Sequence, residues 1–219
     1  MESGRVRAGR FRDRTDAGRV LATRLEHLRD PNTVVLALPR GGVPVGVEVS
    51  RHLGAPLDVI VVRKLGVPSQ PELAMGAIGE NGVQIVDERM VALAGVRRDE
   101  LEAVERVERA ELDRRILLYR GTRTGIGIRN KTALIIDDGI ATGSTARAAA
   151  MVARLAGAAR VVIAAPVGPA DSIERLASVA DEVVLARTPD PFHAIGAFYT
   201  DFAQTSDAEV KRLLETEEE

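Results

Sequence analysis

Five short, continuous runs of apolar residues constrain the fold of this chain more than any other feature of its sequence. The runs are TVVLAL (33–38), DVIVV (58–62), ALIID (133–137), VVIAAPV (161–167) and EVVLA (182–186). Strands that are covered on both faces read as continuous apolar runs and are typical of parallel sheets. Because helical patterns separate the runs, the sequence predicts an α/β fold: a twisted parallel sheet with helices on both faces.

The helical patterns have recognisable ends. Asp16 is a candidate N-cap for a first helix, which carries Val20, Leu21, Leu25 and Leu28 on one side. Further helices are expected from about 43 to 53, from 144 to about 156, and near 170–178. At 219 residues the chain should form one domain. Its core is expected at 33–190, with an N-terminal arm and helix at 1–30 and a small C-terminal cover at 189–219.

A long inserted helix is expected from Asp99 to about Arg120, where Asp99 and Glu102 form a capping signal. Three Glu-to-Arg pairs four residues apart support it, namely Glu102–Arg106, Glu105–Arg109 and Glu111–Arg115. Its apolar side is Leu101, Val104, Val107, Leu112 and Ile116. This helix is expected to lie on the body of the protein, or else against a partner subunit.

The segment 63–82 is rich in glycine and proline. These residues interrupt regular structure, so we expect a long flexible loop followed by a hairpin, with Asn81-Gly82 as its tight turn.

Composition excludes several classes of protein. No apolar run approaches the roughly 18 residues of a membrane span, and the N-terminus lacks the apolar stretch of a secretory signal. With no cysteine present, a cytoplasmic location is expected. The net charge of -2 makes nucleic acid an unlikely partner, although the first 24 residues are rich in arginine.

Three unusual loops should meet at one edge of the sheet, because ligands of open α/β sheets bind outside the carboxyl ends of the strands. They are 39–42 (PRGG), the segment that begins at Arg63-Lys64, and 137–145 (DDGIATGST).

The third of these loops has the chemistry of a sugar-phosphate site. Gly139 and Gly143 allow a sharp turn and close approach to a ligand, and hydroxyl groups follow at the start of a helix, where anions bind. It is neither a Walker loop nor a dinucleotide fingerprint, because both of those motifs have other glycine spacings. Asp137 and Asp138 could accept hydrogen bonds from a vicinal diol and stabilise positive charge at an anomeric carbon.

The stretch ALIIDDGIATGST closely resembles the phosphoribosyl pyrophosphate (PRPP) signature of type I phosphoribosyltransferases. The resemblance implies that fold over about 33–190. It also implies that Asp137 and Asp138 hold the ribose 2- and 3-hydroxyls. The 5-phosphate would be held by the following loop: Gly139, Ile140, Ala141, Thr142, Gly143, Ser144 and Thr145.

The resemblance extends to the other two loops. Pro39, Arg40, Gly41 and Gly42 resemble the family's pyrophosphate loop, in which Arg40 would supply charge and Gly41 close approach. Members of the family often have a cis non-proline peptide there. Arg63 and Lys64 correspond to the start of the flexible catalytic loop, with Lys64 as a mobile charge on pyrophosphate. Asp137, Asp138, Lys64 and Arg40 are thus the implied catalytic residues.

The implied reaction is Mg²⁺-dependent transfer of a 5-phosphoribosyl group from PRPP to a nitrogen acceptor, a nucleobase in many relatives, with release of pyrophosphate. No side chain is assigned as a direct metal ligand. In the C-terminal cover, Phe192 and Ile195 resemble the base-binding residues of purine enzymes, but the spacing is looser and the stretch 191–202 contains no lysine. Dimers are common among relatives, so a homodimer is expected.

Two other functions stay open. One is a regulator of the same fold that binds PRPP or a nucleotide, and that could also bind RNA through its arginine-rich N-terminus. The other is a sugar-phosphate hydrolase, which is disfavoured because no water-activating base is evident.

Overall fold

The computed structural model describes residues 9–216. In chain order its strands are β1 (Thr33–Ala37), β2 (Leu57–Val59), β3 (Arg63–Val67), β4 (Gln70–Ile78), β5 (Gln84–Val86), β6 (Thr132–Ile136), β7 (Arg160–Val167) and β8 (Glu182–Arg187). The helices are α1 (Arg14–Arg24), α2 (Gly42–Leu53), α3 (Glu88–Leu93), α4 (Arg98–Arg120), α5 (Ser144–Leu155), α6 (Asp171–Leu176) and α7 (Asp207–Thr216). Two short 3-10 helices cover Glu26–Leu28 and Ile195–Phe198.

A five-stranded parallel sheet in the order β2-β1-β6-β7-β8 forms the centre of the fold. The central pair β1 and β6 aligns Val35 with Leu134 and Ala37 with Ile136. All five residues of β1 are buried, as a strand covered on both faces requires. The predicted α/β architecture and all five strands are confirmed.

Alternate strand residues point to opposite faces of the sheet. Because the strand runs are apolar at every position, both faces are apolar and helices cover both. Ile135 and Val161 pack with α5 on one face. Leu134 and Val162 pack with α1 and α2 on the other.

The first helix begins earlier than the sequence pattern indicated. Asp13 is its N-cap, and the Asp13 carboxylate accepts a hydrogen bond from the backbone nitrogen of Asp16 at 2.8 Å. Asp16 therefore lies inside the first turn, and its assignment as the cap was wrong. Both residues are suitable caps, and the backbone conformation of Asp13 decides between them.

The segment predicted to begin with a long flexible loop is instead a three-stranded antiparallel sheet in the order β3-β4-β5. Arg63 and Lys64 lie on β3, and the expected turn at Asn81-Gly82 is present, with both residues at positive φ. The glycines of this segment were wrongly interpreted as signs of a loop. Gly66 lies at an irregularity in the β3–β4 register, where a Cβ would lie 2.4 Å from the carbonyl oxygen of Pro71. Here glycine permits close strand packing.

The long helix α4 packs across β3 and α7. Its predicted cap was wrong by two residues: Arg97 precedes the helix, and the Glu100 carboxylate accepts from the Arg97 backbone nitrogen at 2.9 Å. The Glu105–Arg109 and Glu111–Arg115 pairs are present at 3.4 and 2.7 Å. Glu102 pairs instead with Arg98, which precedes it by one turn, at 3.1 Å.

The predicted apolar side of α4 is only partly buried. Leu112 is 1% exposed, whereas Val107 is 67% exposed. At the end of the helix the Arg120 guanidinium is buried and hydrogen-bonds Asp58 and Glu80.

The C-terminal cover is built together with the start of the described chain. Phe11 forms a parallel bridge with Tyr199, and the backbone nitrogen of Thr200 donates to the Phe11 carbonyl oxygen at 2.8 Å. Of the arginine-rich arm, residues 1–8 lie outside the described part of the chain. Within residues 9–216, no helix combines the length and apolar character that crossing a membrane requires.

Candidate active site

The phosphate loop, residues 139–145, connects β6 to the first turn of α5. Buried Ile140 anchors it by donating from its backbone nitrogen to the Val167 carbonyl oxygen at 2.8 Å. Gly143 has a φ of 79° and directly precedes α5. Thr142, Ser144 and Thr145 are exposed at this helix end, and the Ser144 backbone nitrogen donates to Thr142 Oγ1 at 3.4 Å. This combination suits a phosphate.

The acid pair, Asp137 and Asp138, lies at the carboxyl end of β6. The Asp137 carboxylate accepts a hydrogen bond from the Asp138 backbone nitrogen at 2.9 Å. Loss of hydration in the surrounding protein, and next the charge of Asp138, raise the pKa of Asp137 well above its usual value. The neutral form of Asp137 is thus favoured more than in an aspartate exposed to water.

Arg14, on the first turn of α1, covers Asp138. Its Nε donates to Asp138 Oδ2 at 2.8 Å, and its Nη1 donates to the Ala203 carbonyl oxygen at 2.7 Å. The guanidinium also lies 4.0 Å from the ring centre of Phe202. The Arg14 and Asp138 side chains are only 11% and 13% exposed. Arg14 therefore joins the acid pair to the C-terminal cover.

The PRGG loop, residues 39–42, packs directly on the acid pair. A Cβ on Gly41 would lie 2.0 Å from Asp138 Oδ2, and one on Gly42 would lie 2.5 Å from the Ile136 carbonyl oxygen. The Pro39–Arg40 peptide is cis, a feature often seen in the family that the sequence resembles. A side chain at either position would overlap neighbouring protein atoms, so glycine is required at both.

The Arg40 side chain pairs with the first residue of α7. Its Nη1 lies 3.8 Å from Asp207 Oδ1, and the Tyr119 hydroxyl donates to the same oxygen at 2.7 Å. Burial, and next the bond to Asp207, raise the pKa of Tyr119 to about 12. These residues line a cavity of about 340 Å³, the Arg40 cavity, together with Pro39, Arg114 and Arg115.

A second cavity of about 520 Å³, the phosphate-loop cavity, brings together parts of all three predicted loops. Its polar lining is Arg63, Lys64, Glu72, Arg115, Thr142, Ser144 and Thr145. Arg63 is held by Glu108 at 2.6 Å, whereas Lys64 makes a looser contact with exposed Glu72 at 3.3 Å. Arg40 and the acid pair lie outside this lining.

The cover places its aromatic residues against one another. Phe192 stacks on Phe198 with ring centres 5.5 Å apart. Ile195 lies over Gly139, where a Cβ would meet its side chain at 2.5 Å. The Tyr199 hydroxyl donates to the Asp138 carbonyl oxygen at 2.6 Å. The cover thus contacts the start of the phosphate loop.

Three residues of this site were not identified from the sequence. Arg14 and Tyr199 were not named at all, and Arg115 was named only as a member of an ion pair on the long helix. Tyr199 lies four residues after Ile195 in the predicted cover, so position in the chain offered a weak signal for it. Arg14 carried no local signal.

The donor set does not favour a resident metal. Among residues 9–216 there is no group of three or more His, Cys, Asp and Glu side chains that could hold an ion. Mg²⁺ usually keeps several waters and binds through one or two carboxylates plus substrate phosphates. The residues present fit a metal ion that arrives on a phosphorylated ligand.

Comparisons with known proteins identify the family of this chain. Residues 14–201 match the sequence profile of the family described as phosphoribosyl transferase domain. Two proteins named "Putative phosphoribosyl transferase", from Mycobacterium tuberculosis strains CDC 1551 and H37Rv, are each 53% identical over 205 residues, which are 94% of this chain and 46% of each relative. The chain thus spans about half the length of these curated relatives.

A solved structure extends the match to three dimensions. The crystal structure of TT1426 from Thermus thermophilus is 41% identical, with a TM-score of 0.86 over 94% of this chain and 97% of that one. Profile and structure both cover most of the chain, including the acid pair and the phosphate loop. The chain belongs to the phosphoribosyl transferase domain family.

Proposed function

We propose that this protein transfers the 5-phosphoribosyl group of PRPP to a nitrogen acceptor, a nucleobase, and releases pyrophosphate. The observation that carries the proposal is the close approach of Gly41 to the acid pair that precedes the phosphate loop: a Cβ added at Gly41 would lie 2.0 Å from Asp138 Oδ2. A ligand with a 5-phosphate, a diol and a diphosphate has a matching group for each of these parts. Membership of the family supports the same reaction.

Each loop has a distinct role in the proposed reaction. The hydroxyl groups of 142–145 and the end of α5 bind the 5-phosphate. Asp137 and Asp138 accept hydrogen bonds from the ribose hydroxyls and stabilise positive charge as the bond from C1 to the pyrophosphate oxygen breaks. That oxygen leaves with the electron pair, and the acceptor nitrogen forms the new bond to C1 and loses its proton to solvent or to the departing pyrophosphate. Lys64 neutralises the leaving group.

We propose that Mg²⁺ enters as part of the substrate complex with PRPP, where it neutralises the diphosphate. The scarcity of carboxylates around the phosphate-loop cavity supports this, since Glu72 is the acidic residue of its lining.

For the acceptor we propose a site beside the cover, with Phe192 and Ile195 at its edge. Ile195 contacts Gly139, so a base near this residue would be close to the ribose. Phe192 already stacks on Phe198, and a base would extend that stack.

Phosphorus NMR of Mg²⁺ and PRPP with pooled purine and pyrimidine bases tests the reaction. The intact protein should release pyrophosphate only when bases are present. Asp138→Asn removes one charge-assisted acceptor, worth roughly 1.5 to 3 kcal/mol, and should lower turnover or PRPP affinity about ten- to a hundredfold. Pyrophosphate release by Asp138→Asn at the rate of the intact protein would contradict the assignment.

The same experiment separates transfer from regulation. PRPP that binds and survives with every base in the pool would favour a regulator of the same fold. RNA binding that weakens with salt and persists in Lys64→Gln would favour that alternative further.

A further inference from the structure

We infer that Arg115, on the inserted helix α4, binds the diphosphate of PRPP and the pyrophosphate that leaves. This inference rests on the proposed function and deepens it. It assigns a role at the site to a helix that lies outside the three loops.

The first argument is position. Arg115 lines both the phosphate-loop cavity and the Arg40 cavity, and Pro39 of the PRGG loop is the other residue that lines both. Arg115 therefore stands beside the loop that resembles a pyrophosphate-binding element, on the side that faces Lys64 and Thr142. A diphosphate that spans these groups would come within reach of its guanidinium.

The second argument is the supply of positive charge. Arg40 is turned toward Asp207, so it does not line the phosphate-loop cavity. Arg63 lines it but is tied to Glu108 at 2.6 Å. Lys64 and Arg115 are the remaining cations of that lining. A leaving group of high charge needs more than one of them.

The third argument is the way Arg115 is held. Its Nε donates to Glu111 at 2.7 Å, while Nη1 and Nη2 donate no hydrogen bond within residues 9–216. Glu111 also accepts from Arg114, and the two arginines lower the pKa of Glu111 to about 2. The anchor therefore stays ionised at neutral pH and leaves the terminal nitrogens free for a bidentate contact with phosphate.

The test is binding of three ligands by isothermal titration calorimetry with Mg²⁺ present: PRPP, pyrophosphate and ribose 5-phosphate. In Arg115→Gln, affinity for PRPP and pyrophosphate should fall at least tenfold, while affinity for ribose 5-phosphate should change less than twofold. Arg98→Gln is the matched control, because Arg98 lies on the same helix, also pairs with a glutamate, and is 92% exposed. It should bind all three ligands like the intact protein.

The outcomes separate this inference from the proposed function. If the intact protein binds PRPP and Arg115→Gln binds PRPP and pyrophosphate equally well, the role of Arg115 is refuted and the proposed function stands. Equal losses for all three ligands would also refute it, because they would indicate a general disturbance of the site. An intact protein that binds neither PRPP nor pyrophosphate would refute both proposals.

Discussion

Arg14 Nε lies 2.8 Å from Asp138 Oδ2, although 124 positions separate the two residues in the sequence. The contact ties the first turn of α1 to the acid pair, and through Ala203 it also ties the acid pair to the cover. A ribose hydroxyl that bonds to Asp138 Oδ2 would share this oxygen with Arg14 or displace it. Arg14 thus pairs directly with the acid pair.

Arg14→Ala should lower the free energy of unfolding by about 3 kcal/mol, because the loss of one partner leaves a mostly buried charge without compensation. Urea denaturation of the intact protein, Arg14→Ala, Asp138→Asn and the double variant measures the coupling. Additive effects of the two substitutions would show that the pair contributes nothing beyond its separate members.

Asp137→Asn should stabilise the protein in the absence of ligand and also weaken PRPP binding. The folded state raises the pKa of Asp137, so ionisation of this carboxyl costs stability once the pH exceeds its ordinary value of 3.8. Below that value the carboxyl is protonated in both states and the variant should gain nothing. Thermal unfolding from pH 3.5 to 8 should therefore show a gain that grows with pH; a gain independent of pH would contradict the argument.

Gly41→Ala should destabilise the protein by about 2 kcal/mol, in the range for overpacked sites. Its Cβ would lie 2.0 Å from Asp138 Oδ2, and this carboxylate cannot withdraw freely because Arg14 holds it. Gly127→Ala is the control, because a Cβ there meets no atom within 4 Å. If the denaturation curves of Gly41→Ala and Gly127→Ala coincide, the predicted clash is excluded.

Lys64→Gln should weaken pyrophosphate binding about tenfold while the melting temperature stays nearly constant. Its contact with Glu72 is a surface ion pair, and such pairs contribute roughly 0 to 1 kcal/mol. Lys211→Gln is a matched control, because Lys211 also pairs loosely with a glutamate, Glu215, at 3.9 Å. If both variants bind pyrophosphate equally, Lys64 has no specific role.

Local pattern was enough to predict the sheet and the position of the candidate phosphate loop at the end of a central strand. The apolar runs 33–38 and 133–137 became the paired central strands β1 and β6, since burial on both faces requires apolar residues at every position. The phosphate loop could be read in the same way, because its glycines, hydroxyls and acid pair are contiguous in the chain.

Glycine and proline were a weaker guide in the segment 63–82. Their usual meaning is a break in regular structure, and here Gly66 and Gly76 allow strands to pack closely on other backbone atoms. The sequence shows that a side chain is absent, but it does not show what occupies the space.

By itself, the sequence determined the α/β architecture, and it placed two adjacent aspartates and a loop rich in glycine and hydroxyl groups at the carboxyl end of β6 as the candidate site. Tertiary structure decided which distant side chains reach them: Arg14 from α1, Tyr199 from the cover and Arg115 from α4. The physical reason is that strand and loop patterns arise from neighbouring residues. A buried ion pair or a shared cavity wall depends instead on how separate elements pack. Because the hydrophobic effect is non-directional, the apolar pattern of the sequence does not show which polar groups packing will bring together.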